Sequence, residues 1–253
     1  MSLPKVIITD FITEPLSIER DVLGKEAELV ALDAMSEKEL VGQIEDATAL
    51  ICYHYLSITR ETLERLPSCR VIVRGGVGYD NIDHVTARSH GIPVCNVPDY
   101  GTEEVADSAL GMILSLARGT HFLQSRLRRG VGEWSVEQAQ PIPRLRGRAL
   151  GIIGCGRIGS AVALRAKALG MKVLFHDPYV PDGLDKSLGI ERADCLDELL
   201  EQSYIISLHC PLTPETANII GAQELASMSP GGFLVNTAPG GGVDTAAVVD
   251  SLA

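Results

Sequence analysis

Gly154-Cys155-Gly156-Arg157-Ile158-Gly159 places three glycines at the spacing of a loop that grips a dinucleotide through its backbone. Gly154 permits a tight turn, Gly156 lets the main chain approach a pyrophosphate, and Gly159 lets a helix pack closely on the preceding strand. Arg157 and Ile158 open that helix, whose first N–H groups and positive dipole end suit phosphates. Asp177 follows at the distance expected for a ribose acceptor. Its carboxylate can take hydrogen bonds from both ribose hydroxyls and would repel a 2′-phosphate. His176 and Pro178 beside it offer no cation for such a phosphate, so the pattern selects NAD(H) over NADP(H).

The surrounding elements fit that chemistry. Ala149–Ile153 is an apolar strand, a helix runs from about Ile158 to Leu169 and stops at Gly170, and Val173–His176 is the next strand. Ile205–Leu208 and Phe233–Val235 bring the second half to four predicted strands. A dinucleotide sheet ordinarily continues beyond a fourth strand, so this domain reads as truncated, with Phe233–Val235 left as an open edge. In the first hundred residues, strands at Lys5–Thr9, Glu28–Ala31, Ala49–Tyr53, Arg70–Arg74 and Pro93–Asn96 alternate with helices near Ser36–Ile44, Thr59–Leu66 and Asn81–Ser89. That alternation predicts α/β architecture: two doubly wound parallel sheets, one in residues 1–101 and one in 102–253. A single bridging helix is expected over 102–128, capped by Thr102, with Glu103 and Glu104 at its positive end. Val105, Ala109, Met112, Ile113 and Leu116 would form its buried stripe.

Composition narrows the class. An apolar fraction of 45% and 253 residues suffice for two cores. A net charge of −11 argues against nucleic acid or an anionic membrane as the direct partner. The opening MSLPKVIITD runs straight into a strand-like segment rather than a secretory signal, and no apolar run reaches the length of a membrane span. The six cysteines form no CxxC pair and read as small buried hydrophobes in a reducing cytoplasm, without metal or disulfide.

Longer motifs add a resemblance. Val73–Asp83 (VRGGVGYDNID), Gly91–Arg118, Leu208–Ile220 (LHCPLTPETANII) and Gly231–Asp244 (GGFLVNTAPGGGVD) occur in order with the glycine loop. Together they resemble the D-isomer-specific 2-hydroxyacid dehydrogenases. YHYLSITRETLE and VLFHDPYVPDG are most similar to the branch containing the C-terminal-binding-protein corepressors. The resemblance implies a flavodoxin-like substrate domain, a Rossmann NAD-binding domain and a homodimer. It implies NAD-dependent interconversion of a small D-2-hydroxy acid and a 2-keto acid. Arg74-Gly75-Gly76-Val77-Gly78 would hold the substrate carboxylate on backbone N–H groups, in keeping with an anion nest. Thr102 would contact the nicotinamide side. His209, Cys210, Pro211 and Thr216 would border the adenosine, with His209 structural rather than a proton carrier. Thr237 and Ala238 would face the nicotinamide.

The chain departs from that pattern at its chemical centre. Pro239 stands where the family places its arginine, and proline has neither charge nor N–H donor. The family's histidine acid/base and its glutamate partner fall beyond residue 253, and His54, the one histidine expected near a cleft, is a poor substitute. Two readings follow: a dehydrogenase that binds NAD(H) but is catalytically impaired, or a non-catalytic, NAD(H)-responsive dimeric binding module of corepressor type.

Overall fold

The computed structural model describes residues 3–252, in which the chain divides into two compact units, with the division between Tyr100 and Gly101. The first contains β1 (Lys5–Ile8), α1 (Ser17–Leu23), β2 (Glu28–Ala31), β3 (Ala49–Cys52), α2 (Arg60–Leu63), β4 (Val71–Arg74), α3 (His84–Ser89) and β5 (Val94–Asn96). Its strands form one parallel sheet in the order β2-β1-β3-β4-β5. This is the flavodoxin-like order. Ile7, Leu50 and Ile72 lie fully buried in its core, beneath Leu63 of α2 and Ala87 of α3. Two expectations need correction. The stretch Ser36–Ile44 is only a single 3-10 turn over Glu37–Leu40, and α1 was not anticipated because none of its residues is buried.

The second unit opens with α4 (Thr102–Arg118) and α5 (Thr120–Arg128). The single bridging helix expected over 102–128 is therefore two, because Gly119 adopts a left-handed φ of 64° and ends α4. Thr102 is the first helical residue rather than the cap, which is Gly101. The buried stripe is also shifted: Ala106, Ala109, Ile113 and Ala117 are buried, whereas Met112 is exposed. Small side chains there let α4 lie close to Val162, Ala163 and Ala166.

The unit continues with β6 (Ala149–Ile153), α6 (Arg157–Ala168), β7 (Lys172–His176), α7 (Leu184–Leu188) and β8 (Glu191–Arg192). It ends with α8 (Leu196–Gln202), β9 (Ile205–Leu208), α9 (Ala222–Ser227), β10 (Phe233–Asn236) and α10 (Thr245–Ser251). All five strands run parallel in the order β10-β9-β6-β7-β8. The predicted count of four missed β8, a two-residue strand at the edge opposite β10. Strand periodicity places Leu150, Ile152, Val173 and Phe175 on the face covered by α4 and α6. Ile153, Leu174, Ile206 and Leu208 fall on the other face with Leu199 and Leu200 of α8. Both faces are thus covered, as a parallel sheet requires. The six cysteines are free, and among the described residues no helix is long and apolar enough to cross a membrane.

Candidate functional site

The second unit gathers its candidate residues at the carboxyl ends of β6, β7, β9 and β10. Gly154 leaves β6 with φ of 88°, a conformation that favours glycine. A β-carbon there would lie 2.7 Å from the backbone nitrogen of Cys210, so Gly154 also permits close approach to the end of β9. At Gly159 a β-carbon would overlap the carbonyl oxygen of Gly154, which makes that helix turn possible only with glycine. Gly156 is different: its φ of −73° suits any residue, and a β-carbon would meet open space. Open space over Gly156, beside the uncapped first turn of the twelve-residue α6, is the cradle a pyrophosphate needs. Arg157 and Ile158 supply N–H groups of that first turn.

Asp177 follows β7 and is fixed by two backbone donors. Cys155 N–H donates to its Oδ2 at 2.8 Å, and Tyr179 N–H donates to its Oδ1 at 2.9 Å. Register brings this about, because Ile153 pairs with His176 and Gly154 N–H donates to the His176 carbonyl at 3.0 Å. Each carboxylate oxygen keeps lone-pair capacity for a ribose hydroxyl. The glycine loop and Asp177 together thus fit the two ends of an adenosine diphosphate moiety. The Cys155 thiol is buried, and that burial pushes its pKa up to about 11. It is a packing group rather than a nucleophile.

His209 sits between two strands. Its Nε2 lies 2.9 Å from the Ser207 hydroxyl and its Nδ1 lies 3.1 Å from the Thr237 hydroxyl. Burial holds its pKa down to about 4, so the ring stays neutral near neutral pH. A ring so held ties the ends of β9 and β10 together and carries no proton through a reaction. Thr237 is therefore committed through its hydroxyl, while Ala238 N–H donates to Asn236 Oδ1 at 2.9 Å. Pro211 and Thr216 shape the loop after β9: Thr216 Oγ1 donates to the Pro211 carbonyl at 2.6 Å and accepts from Thr213 N–H at 2.8 Å. Cys210 is half-buried where Gly154 meets β9. Pro239 precedes a 3-10 turn at Gly240–Gly242, whose Gly242 N–H donates to the Pro239 carbonyl at 3.1 Å.

The first unit holds the other predicted loop. Gly75 N–H donates to the Cys52 carbonyl and Gly76 N–H to the Arg74 carbonyl, each at 2.8 Å. Among the described residues, that leaves Val77 and Gly78 of the loop to offer backbone donors of the kind expected across the whole of it. A β-carbon at Gly75 would strike the Tyr53 ring, and one at Gly76 would overlap the Arg74 guanidinium folded above it. Arg74 Nη2 lies 3.2 Å from His54 Nδ1, and its Nε is buried without a partner. Sequence reasoning missed Asp10, which is fully buried and orders this neighbourhood. Its carboxylate accepts from Tyr53 N–H and Tyr55 N–H, each at 2.8 Å, and from the Thr9 hydroxyl at 2.7 Å. The available signal was a charged residue ending an apolar strand, Ile7-Ile8-Thr9-Asp10.

Comparisons with known proteins agree on one family. Residues 110–253 match the model of the D-isomer specific 2-hydroxyacid dehydrogenase NAD binding domain. The chain is 41% identical over 230 residues to C-terminal-binding protein 1 of Caenorhabditis elegans, covering 89% of this chain and 32% of that protein. It is 37% identical over 248 residues to D-3-phosphoglycerate dehydrogenase of Methanocaldococcus jannaschii, covering 98% and 46%. The chain thus spans about a third to just under half of the length of these curated relatives. A crystal structure of D-lactate dehydrogenase from Aquifex aeolicus with NAD and lactic acid superimposes with a TM-score of 0.88 at 32% identity. The match covers 98% of this chain and 73% of that one.

Proposed function

The chain belongs to the D-isomer specific 2-hydroxyacid dehydrogenase family, and we propose that it interconverts a D-2-hydroxy acid and a 2-oxo acid at a rate lowered by Pro239. Its cofactor is NAD(H). The observation that carries the reading is the glycine cradle at Gly154–Gly159 with Asp177 anchored beside it. When bound, the nicotinamide supplies the hydride acceptor or donor. The chain's own residues bind and orient. The first turn of α6 holds phosphate, Asp177 holds the ribose, and Thr102, Thr237 and Ala238 border the nicotinamide. Arg74, Val77 and Gly78 hold the substrate carboxylate through a guanidinium and two N–H groups.

Pro239 bears on rate rather than on binding. A cation at this position would stabilise the charge that develops on the carbonyl oxygen, and losing such a group costs about 10²–10³ in rate. The φ of −53° at Pro239 is open to arginine, so Pro239→Arg leaves the following turn intact. Assayed in the full-length protein against a panel of small 2-oxo acids with NADH, Pro239→Arg is expected to raise kcat/KM by about 10²–10³. An unchanged value would remove Pro239 as the principal defect.

A second reading is supported by Pro239 itself and by the similarity to a C-terminal-binding protein. On that reading NAD(H) binds and promotes self-association without turnover. Absence of turnover in both parent and Pro239→Arg, with NADH-dependent association retained, would favour it over the enzyme.

A further inference from the structure

Four cations share one cavity at the opposite end of the second sheet. In a parallel sheet all amino ends lie on one edge, so the starts of β6, β7 and β9 are remote from the glycine loop. A five-residue strand separates the two edges by about 16 Å. An open cavity of about 790 Å³ lies at this edge, lined by Arg144, Arg146, Arg148 and Lys172 among others. Backbone bonds explain the gathering. Arg148 N–H closes a turn onto the Leu145 carbonyl at 2.9 Å, with Leu145 buried as its anchor. Gly147 N–H then donates to the Gly170 carbonyl at 2.8 Å, and Lys172 N–H to the Arg148 carbonyl at 3.0 Å. These bonds clamp the arginine-bearing turn against the start of β7.

The cations are held apart from acids. Among the described residues none of the four makes an ion pair, although the chain carries 33 acidic against 22 basic residues. Arg165 and Arg192 of the same unit do find carboxylates, at Glu103, Asp107 and Asp182. Among the described residues Glu191 is the one carboxylate lining the cavity, and it makes an ion pair with none of the four. Arg148 is also positioned: its guanidinium lies 4.0 Å over the Tyr204 ring, which in turn meets Phe233 edge-on at 5.5 Å. Scattered surface cations are simply solvated. Four of one sign around a concavity, with Glu191 the single carboxylate in the lining and unpaired with any of them, focus a positive potential there.

We propose that this cavity binds a small, multiply charged anion of the phosphate class, at a site separate from the dinucleotide loop. Arginine forks match phosphate oxygens bidentately, and Lys172 adds a point charge from a second strand. A monocarboxylate would engage only part of the set. A nucleic acid duplex is disfavoured by the net charge of −11 on the whole chain.

The test uses tripolyphosphate as probe in isothermal titration of the full-length protein, with and without saturating NADH. Saturable binding that persists with NADH present is expected, and it should weaken as salt is raised. Arg144→Ala with Lys172→Ala removes two exposed charges and should weaken tripolyphosphate binding at least about tenfold while NADH affinity is unchanged. Gly156→Val should do the converse, losing NADH and keeping tripolyphosphate. Competition by NADH, or undiminished binding in the doubly substituted protein, would overturn the proposal. A parent that binds tripolyphosphate here but no NADH would contradict the dinucleotide reading and leave this site standing.

Discussion

At the residue scale the three glycines of the loop do different jobs, and substitution separates them. Gly156 has ordinary backbone angles and open space above it, so a side chain there intrudes only on the phosphate. Gly156→Val is therefore expected to keep the fold, at no more than the modest cost of replacing the glycine that caps α6, and to lose NADH binding at least about a hundredfold. Gly159→Ala would drive a methyl group into the Gly154 carbonyl and is expected to lower the melting temperature as well as binding. Measuring both by thermal denaturation and NADH titration distinguishes the roles; equal stability loss in the two variants would contradict this assignment. The pattern of glycines was legible because backbone chemistry leaves a fixed spacing. Asp10 was not, since a buried carboxylate that orders Tyr53 and Tyr55 leaves only a single acidic letter at a strand end.

At the element scale His209 ties β9 to β10 and makes the sheet sensitive to acid. Its pKa is held at about 4 in the fold by burial, against about 6.5 in the unfolded chain. As pH falls through 6.5 the unfolded chain takes up a proton that the fold refuses, so stability declines until about pH 4 and then levels off. Between pH 6.5 and 5 this loss amounts to roughly 2 kcal/mol. Carboxylates such as Glu37, whose burial is outweighed by hydrogen bonds from Thr62 and Thr59, withdraw stability only below about 4.5. Urea unfolding at pH 7 and pH 5 should therefore show a drop in the parent and a much flatter response in His209→Gln. The same drop in both would assign the acid sensitivity elsewhere. Elements were legible where burial wrote a pattern, as in all five strands of the first sheet. They were not legible where burial wrote none: α1 has no buried residue, and β8 has only Glu191 and Arg192. The break at Gly119 was hidden because apolar spacing resumes in α5 after one left-handed residue.

At the scale of the whole molecule, the expected homodimer has a candidate surface on α5 and the segment after it. Trp134 is 86% exposed, with Val136 at 64% and Leu127 at 54%, beside an apolar cavity of about 510 Å³. An apolar face of this kind is stable in water when it meets the same face of a second copy about a two-fold axis. Light scattering of the full-length protein is expected to give twice the chain mass, and Trp134→Glu to shift it toward one; a monomeric parent would contradict the dimer. The account rests most directly on the choice of dinucleotide. Titration of the full-length protein with NADH and NADPH is predicted to show NADH tighter by at least about tenfold, as a 2′-phosphate against Asp177 requires. The preference should collapse in Asp177→Ala. Equal affinity for the two cofactors in the parent, or a preference for NADPH, would contradict the role assigned to Asp177 and the site built around it.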